Sequence, residues 1–282
     1  MKILVTGSQG QLGSEFRLIS QSSVHDFYLT DSAQLDITNF ESLNTYFKTN
    51  SIDIILNCAA YTAVDKAEEE KENAFTINKE GVKNLVKICE KQNVKLIHFS
   101  TDYVFDGRNF QPYKETDEVN PQSVYGKSKL AGEQLILDSN ISALIVRTSW
   151  LYSNYGNNFV KSIIKLGKER DSLNIVFDQI GSPTNAADLA EATMLCISQQ
   201  DKWNNKQEIY HFSNEGVCSW YDFTLEIFNT FGIDCKVKPL LSKDYPTKAR
   251  RPHFSVLDKS KFKSDFNYEI KHWKETFQTL NI

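Results

Sequence analysis

Short apolar runs alternate with longer amphipathic stretches along the first 150 residues. Five apolar runs predict buried strands: KILVT, FYLT, IDIILN, VKLIHFS and ALIVRTS. Four stretches with apolar residues at helical spacing fall between them: QLGSEFRLIS, NFESLNTYFKT, TINKEGVKNLVKICEKQ and SKLAGEQLILDS. This alternation is typical of an α/β fold with a doubly wound parallel sheet, in which helices cover both faces.

The pattern changes after about residue 150. GNNFVKSIIKLGKER and SPTNAADLAEATMLCI predict helices, and EIYHFS predicts a late strand that returns to the sheet. The remaining segments, WYDFTLEIFNTF, KVKPL and the loop DYPTKARRPHFSVLD, indicate a smaller C-terminal lobe. We therefore predict a first domain over residues 1–150 and a lobe over residues 151–282, from which about 183–213 return to the first domain.

Composition and charge narrow the function classes. With 40% hydrophobic and 24% charged residues, the chain is ordinary for a globular protein. The net charge of −4 argues against a nucleic-acid partner and gives no reason to expect a membrane partner. The five cysteines are scattered without a CxxC pair, which predicts reduced thiols in a cytoplasmic protein. The five histidines are isolated, so they form no metal-ligand set.

Three glycines follow the first predicted strand. Gly7, Gly10 and Gly13 lie in GSQGQLG, between KILVT and the first predicted helix. Glycines let a backbone turn tightly and approach a pyrophosphate, whose charge the helix N-terminus stabilises. The pattern is common in loops, but the strand–loop–helix context is the one that dinucleotide binding requires. We therefore predict that the first domain is a Rossmann-type dinucleotide-binding domain.

Two acidic residues bear on the choice of cofactor. Asp31 follows FYLT, where a carboxylate can bond an adenosine ribose hydroxyl, although an ordinary turn residue is the alternative. Asp36 either caps the next helix or borders the adenine, and both readings stay open. The charge of Asp31 favours NADH because it would repel a 2′-phosphate, whereas Arg17 could offset this repulsion. The prediction is therefore NADPH or NADH.

A tyrosine and a lysine stand one helical turn apart in SVYGKSKLAGE. If this stretch is helical, Tyr125 and Lys129 share a face. A free phenol has a pKa of about 10, and a nearby ammonium lowers that pKa by favouring the phenolate. Ser100 and Thr101 add hydroxyls at the end of VKLIHFS. This grouping favours a proton donor for nicotinamide-dependent ketone reduction over two exposed helix residues.

Together these motifs resemble the extended short-chain dehydrogenase/reductase family. The resemblance lies in the glycine loop, Tyr125-x-x-x-Lys129, the Ser/Thr after the fourth strand and Asn78, and most specifically in STDYVFDG, YTAVDKAE and RTSW. Similar segments run from the first residues to about residue 255. The resemblance implies an NADPH- or NADH-dependent oxidoreductase that reduces the C4 ketone of a dTDP-linked 4-keto-6-deoxy sugar. The C-terminal lobe would then bind mainly substrate.

The resemblance also implies roles for individual residues. Tyr125 would donate a proton to the C4 oxygen, Lys129 would hold the nicotinamide ribose, and Thr101 would hydrogen-bond the keto oxygen. The residues implied to contact substrate are Thr101, Asp102, Val64 and Trp150. Those assigned to the cofactor are Gly7, Gly10, Gln11, Leu12 and Gly13 at the pyrophosphate, Asp31, Asp36 and Ile37 around the adenosine, Ala60, Tyr61 and Thr62 along its middle, and Tyr125 with Lys129.

Several residues keep a second interpretation. Trp150 fits a core aromatic at a domain junction as well as a substrate contact, and Asp102 fits a turn cap. Arg250 and Arg251 suit a diphosphate, whose oxygens match guanidinium forks. A solvated loop fits them at least as well, so neither arginine is assigned to the site.

The resemblance leaves metal, assembly and activity open in part. Some members of the family are dimers with magnesium at the interface. Glu15 matches one such acidic position, but the complete set cannot be placed, so magnesium binding is doubtful and no metal site is assigned. A homodimer is expected only from the family. The alternative functions are another sugar-nucleotide reductase or epimerase of this family, or a non-catalytic cofactor-binding regulatory subunit. Retention of Thr101, Tyr125 and Lys129 together weighs against the subunit.

Overall fold

A parallel sheet organises the computed structural model, which describes residues 1–280. The strands are β1 (Lys2–Thr6), β2 (Asp26–Leu29), β3 (Ile54–Asn57), β4 (Lys95–Thr101), β5 (Ala143–Thr148), β6 (Leu151–Tyr152), β7 (Ser172–Val176), β8 (Ile180–Gly181), β9 (Thr184–Asn185), β10 (Gln207–His211), β11 (Cys218–Ser219) and β12 (Lys236–Leu240). Six of them form the parallel sheet in the order β10-β5-β4-β3-β1-β2. The others pair as β6 with β9, β7 with β12 and β8 with β11.

Helices cover both faces of this sheet. They are α1 (Gln11–Ser20), α2 (Phe40–Thr49), α3 (Val64–Ala67), α4 (Lys71–Phe75), α5 (Val82–Gln92), α6 (Val124–Leu137), α7 (Phe159–Glu169), α8 (Ala186–Ser198), α9 (Trp220–Phe231), α10 (Ser260–Phe266) and α11 (Trp273–Phe277). Buried apolar residues of α2, α5 and α6 pack on one face, and those of α1, α8 and α10 pack on the other. The predicted doubly wound α/β fold is confirmed.

The C-terminal lobe has an apolar core of its own. Side chains from α7, β7, α9 and α11 form this cluster, with Tyr152 and Phe223 among its buried members. Segments from α8 and β10 instead pack into the core of the main sheet, as do Phe262 and Phe266 of α10. The predicted division into two domains at residue 150 stays a prediction.

Within residues 1–280, the helices are all too short or too polar to cross a bilayer.

Candidate active site

A cleft of about 1250 Å³ opens at the carboxyl ends of β1, β3, β4 and β5, beside the C-terminal lobe. Strand β1 pairs with β2 on one side and with β3 on the other. The chain therefore passes from β1 to β2 and then crosses back over β1 to reach β3. Such a switch point is where doubly wound sheets bind ligands. Most of the residues that the sequence assigned to a site line this cleft: Gly10, Gln11, Leu12, Gly13, Ala60, Thr62, Val64, Thr101, Asp102, Tyr125, Lys129 and Trp150.

The glycine loop after β1 is shaped as a cradle. Gly7 has φ +64°, and a Cβ on it would lie 2.7 Å from the backbone nitrogen of Ala59. A Cβ on Gly13 would lie 2.3 Å from the carbonyl oxygen of Gly7. Larger residues would therefore push the loop away from β3 and from its own helix. Gly10 stands at the N-terminus of α1, which faces the cleft and suits the negative charge of a pyrophosphate.

The residues predicted around an adenosine lie beyond the cleft lining. Asp31 accepts hydrogen bonds from the backbone of Ala33 (3.0 Å), and Asp36 accepts one from that of Thr38 (2.9 Å). Both carboxylates thus hold their own turns, as the alternative interpretation of Asp31 expected, whereas the helix cap considered for Asp36 is supplied by Asn39. Asp31 also accepts from the Gln9 side chain, which ties it to the glycine loop. Ile37 is buried in the core against α5. Their roles toward a cofactor stay predictions.

The loop after β3 is fixed by Asn78. This residue lies in a π-helical segment, Thr76–Gly81, and its amide accepts from the Tyr61 backbone nitrogen (2.9 Å) and donates to the Tyr61 carbonyl (3.0 Å). It also donates to the Ser128 hydroxyl on α6 (2.9 Å). The Tyr61 hydroxyl donates to Glu70 (2.7 Å), so the side chain is held outside the cleft lining. Asn78 therefore joins the loop after β3 to α6.

Tyr125 sits in the first turn of α6 and is buried at the cleft. The hydroxyl of Ser123 caps this helix by accepting from the Gly126 nitrogen (3.1 Å). The Tyr125 ring meets Tyr103 edge-on, with ring centroids 5.5 Å apart. Its side chain lines the cleft together with Thr101, which ends β4. The helix that the sequence predicted is confirmed, and it begins four residues before the apolar pattern indicated.

The electrostatics of Tyr125 are set mainly by burial. Burial raises the pKa of its phenol well above the usual range, the nearby Asp102 adds to the rise, and the neighbouring Thr101 side chain only partly opposes it. Burial therefore outweighs the other protein groups, and the lowering of this pKa by Lys129 together with an oxidised nicotinamide stays a prediction. The ammonium is directed at other partners, and the loss of water around the phenol dominates. At neutral pH the phenol holds its proton.

Lys129 is 2% exposed and lies on the same face of α6 as Tyr125. Its Nζ donates to the carbonyl oxygen of Phe99 (2.7 Å) and lies 3.3 Å from Nε2 of His98. Burial lowers the pKa of the amine to about 8, and the charge of Glu133 partly opposes this shift. The shared face that the Tyr-x-x-x-Lys spacing predicted is confirmed.

Asp102 is a buried carboxyl at the same place. One oxygen accepts from the Thr101 hydroxyl (2.9 Å), whereas Oδ2 has no hydrogen-bond partner of ordinary geometry among residues 1–280. Burial raises the pKa of Asp102 to about 7, against the lowering effect of the Thr101 hydrogen bond. An unsatisfied oxygen in a cleft is suited to a ligand hydroxyl. The turn-cap interpretation does not account for this arrangement.

Trp150 has φ +48°, a backbone conformation that a large side chain rarely adopts. Its ring stacks on Trp220 with centroids 3.5 Å apart and planes 7° from parallel, and both rings line the cleft. Phe159 packs against Trp220 from α7. Trp150 therefore joins the lobe's aromatic cluster and also faces the ligand space, so the two interpretations of this residue are compatible.

Sequence reasoning missed residues contributed by the C-terminal lobe. Arg251 lines the cleft, forms an ion pair with Asp65 (2.5 Å) and donates to the Tyr103 hydroxyl (3.0 Å). Arg250 is exposed and reaches only Gln122, so the solvated-loop interpretation fits that arginine alone. The signal for Arg251 was its place before Pro252. Trp220 lies in SWYDF, a segment similar to the family, but it was assigned to no site.

Metal ligands do not converge in this structure. Within residues 1–280, no group of three or more His, Cys, Asp or Glu side chains could hold an ion. Glu15, matched to a magnesium position by resemblance, is buried in α1. Burial, together with the charge of Asp188, raises the pKa of its carboxyl.

Comparisons with known proteins point to one family. The family model described as RmlD substrate binding domain matches residues 1–281. A protein of Aggregatibacter actinomycetemcomitans named dTDP-4-dehydrorhamnose reductase is 38% identical over 292 residues, which cover 99% of this chain and 98% of that protein.

Two solved structures of similar proteins share the fold. A dTDP-4-dehydrorhamnose reductase from Clostridium acetobutylicum superposes with a TM-score of 0.94 at 43% identity, covering 99% of this chain and 97% of that one. A dTDP-4-dehydrorhamnose reductase from Bacillus anthracis, solved in complex with NADP, gives a TM-score of 0.92 at 38% identity, covering 97% of this chain and 96% of that one.

Proposed function

Since the chain belongs to the RmlD substrate binding domain family, we propose that it uses NADPH or NADH to reduce the C4 ketone of dTDP-4-dehydro-β-L-rhamnose. The product would be dTDP-L-rhamnose. The observation that carries this proposal is the meeting of Thr101, Tyr125 and Lys129 in one cleft, next to the glycine loop. A binding protein without turnover would not need a buried phenol, hydroxyl and amine together.

The cofactor end of the cleft fits a nicotinamide dinucleotide. The cradle at Gly7 and Gly13 leaves room for a pyrophosphate where a Cβ would intrude, and α1 directs its N-terminus there. Ala60 and Thr62 continue the lining from this loop toward Lys129. A bound nicotinamide dinucleotide supplies the hydride, and its ring is positively charged once the hydride has left.

The side chains of the protein would supply the proton that the C4 oxygen takes up. Tyr125 holds a proton at neutral pH because burial raises its pKa, so the phenol is in the form that can donate to a C4 oxygen. The Thr101 hydroxyl, which donates to Asp102 (2.9 Å), would turn to donate to that oxygen beside the phenol. Lys129, fixed on the Phe99 carbonyl, would hold the ribose hydroxyls, and its charge would stabilise the phenolate left after donation.

The sugar would lie between β4 and the C-terminal lobe. Asp102 offers an unsatisfied carboxyl oxygen to a sugar hydroxyl, and Val64 and Trp150 provide apolar contact. Arg251 lies on the same wall and supplies a guanidinium that suits a diphosphate. Which face of the ketone meets the hydride depends on the shape of this pocket.

The test is reduction of the named substrate. Purified protein should consume NADPH or NADH when given dTDP-4-dehydro-β-L-rhamnose, as followed by the absorbance of the reduced nicotinamide, and NMR of the product should show dTDP-L-rhamnose. Reactions without sugar, or with a dTDP-sugar that lacks a ketone, are the controls. Cofactor binding without turnover would favour the regulatory subunit, and a C4-epimeric product would reassign the substrate face.

Two further features belong to the proposal. All five cysteines are free, which supports a cytoplasmic setting for the reaction. Assembly into a homodimer stays a prediction that the molecular mass in solution would decide.

A further inference from the structure

A row of buried polar side chains runs beneath the cleft from the glycine loop to Lys129. The Thr6 hydroxyl donates to Oδ1 of Asn57 (2.7 Å), and Nδ2 of Asn57 lies 2.9 Å from Nδ1 of His98. On the far side of the ring, Nε2 of His98 lies 3.3 Å from Nζ of Lys129. Thr6, Asn57 and His98 are each at most 1% exposed. The row therefore has no access to solvent except through the cleft.

The strand register makes this row a built feature. Thr6 is the cross-strand neighbour of Asn57, and Asn57 is the neighbour of His98. Side chains alternate between the two faces of a strand, so His98 shares its face with Leu96, which packs in the apolar core under α5 and α6. The polar imidazole of His98 therefore lies at a position where the strand pattern leads us to expect an apolar side chain. Buried polar groups persist when they are hydrogen-bonded, and here each ring nitrogen has one partner.

His98 and Lys129 cannot both be positively charged at the same time. Two cations 3.3 Å apart without water repel strongly, so an ammonium on Lys129 requires a neutral imidazole. Burial and the charge of Lys129 lower the pKa of His98 well below its usual value, in agreement with this view. Because Nδ2 of Asn57 can only donate, Nδ1 accepts and the neutral ring carries its proton on Nε2, which can donate to the free amine. For Nε2 to accept from the ammonium, the Asn57 amide would have to turn so that its oxygen faces Nδ1.

Other charged groups near Lys129 do not replace the ring. Glu133 lies one turn further along α6, but Arg147 binds it through a bidentate ion pair with both groups buried. Cys58 faces the amine from the end of β3, and burial keeps its thiol protonated by raising its pKa. The neutral partners in hydrogen-bonding range of Nζ are the Phe99 carbonyl and His98.

We propose that His98 is a positioning residue for Lys129, which it reaches from behind the cleft, and that its neutral ring, anchored by Asn57 and Thr6, controls the protonation of the amine. His98 itself lies outside the cleft lining. It would act through Lys129 by holding Nζ at the cleft floor and by setting the pH at which the amine is charged. In the sequence, His98 lies within the apolar run VKLIHFS, which indicates only a packed strand residue.

Kinetics of three His98 variants test the proposal, which uses the proposed function as its readout. The rate of the unchanged protein should fall above about pH 8 as Lys129 loses its proton. In His98→Leu we expect kcat to fall about ten- to hundredfold and this basic limb to move by roughly one pH unit. His98→Gln, whose amide reaches the position of Nε2, should recover part of the rate. His98→Asn, whose amide reaches only the position of Nδ1, should not.

His211 provides the matched control. It is also a fully buried histidine of the same sheet, with its Nδ1 3.1 Å from the Tyr113 carbonyl and no contact with Lys129. His211→Asn should leave the basic limb where it is, even if stability falls. If the His98 variants leave the limb unmoved, or if His98→Asn and His98→Gln recover the rate equally, the proposal is overturned.

An NMR measurement separates this proposal from the proposed function. Ring-nitrogen spectra of the protein with ¹⁵N-labelled histidine need no turnover. In Lys129→Met the His98 signals should shift while those of His211 stay in place, because only His98 loses its neighbour. Unchanged His98 signals would overturn the proposal even in an active enzyme. If Lys129→Met shifts the His98 signals but the unchanged protein does not reduce the sugar, the pairing is retained and only the proposed reaction is rejected.

Discussion

At the scale of single residues, Tyr125 is the group on which turnover depends. Replacing it with Phe removes the proton but keeps the ring that packs on Tyr103, so the fold and cofactor binding should persist. We expect kcat to fall about 10²–10⁴-fold, the usual contribution of a positioned acid. Tyr113→Phe is the control, since this buried tyrosine bonds Asp106 outside the cleft. A Tyr125→Phe variant with unchanged kcat would remove the phenol from the mechanism.

Asp102 should give the folded protein a distinctive pH dependence. Its pKa is raised from the ordinary 3.8 to about 7, so between these values the folded chain binds a proton that the unfolded chain releases. The free energy of unfolding should therefore fall as pH rises through this window. Asn cannot ionise. Between about pH 5 and pH 8, urea unfolding should show the unchanged protein losing about 2–3 kcal/mol relative to Asp102→Asn. A difference that is constant with pH would contradict the buried acid.

The sequence predicted which residues belong to the candidate site, but it did not predict the environments of their side chains. Tyr125 and Lys129 stood out because their spacing alone places them on one helix face, and Thr101 because it ends an apolar run. The rise of the Tyr125 pKa was not predicted, because it depends on water removed by the surrounding fold and no local pattern records that loss. The polar partners of His98 were not predicted for the same reason.

At the scale of elements, the cap of α6 sets the position of the acid. Ser123 accepts from the Gly126 nitrogen, and Tyr125 lies two residues beyond this cap. Ser123→Ala should lower the free energy of unfolding by about 1 kcal/mol. It should also reduce kcat, because the first turn would fray at the phenol.

Asn39→Ala is the matched comparison for this cap. Asn39 caps α2 by accepting from the Ser42 nitrogen (3.0 Å), on a helix away from the cleft. It should cost similar stability in denaturant unfolding while kcat stays the same. Equal kcat in both variants would show that the start of α6 tolerates fraying.

Elements with a strong apolar pattern were predicted well. All five early strands and the late strand of the sheet occur where their apolar runs lie. The start of α6 was missed, because SVYG has no apolar period and its helix depends on the Ser123 cap. The two-residue strands β6, β8, β9 and β11 were missed as well, since such short pairings depend on the approach of distant segments.

At the scale of the whole molecule, Arg251 links the C-terminal lobe to the nucleotide-binding side. Its guanidinium bonds Asp65 and the Tyr103 hydroxyl at the cleft wall. Arg251→Ala should raise the KM for the sugar nucleotide about tenfold or more with a smaller effect on kcat, because a charged contact to substrate is lost. Steady-state kinetics measure the split. Lys248→Ala is the control, since its exposed pair with Glu69 contributes about 0–1 kcal/mol. An equal KM in both variants would remove Arg251 from the substrate wall.

Sequence reasoning indicated one wall of the cleft better than the other. Its cofactor wall follows one strand–loop–helix unit, so a motif can indicate it. Its substrate wall combines α7, α9 and the loop that carries Arg251, which meet only after the lobe has packed on the sheet. Their residues share no spacing along the chain, and hence no pattern marks them.

The parallel stack of Trp150 and Trp220 gives the molecule an optical signal of its own. Two indoles with centroids 3.5 Å apart are close enough for their excited states to couple. The size and sign of the resulting circular-dichroism bands depend on the distance between the rings and on how they are turned about the stacking axis. A sugar that contacts Trp150 changes the separation or the angle of the rings. Occupancy of the cleft can then be read from the amplitude of these bands in unlabelled protein.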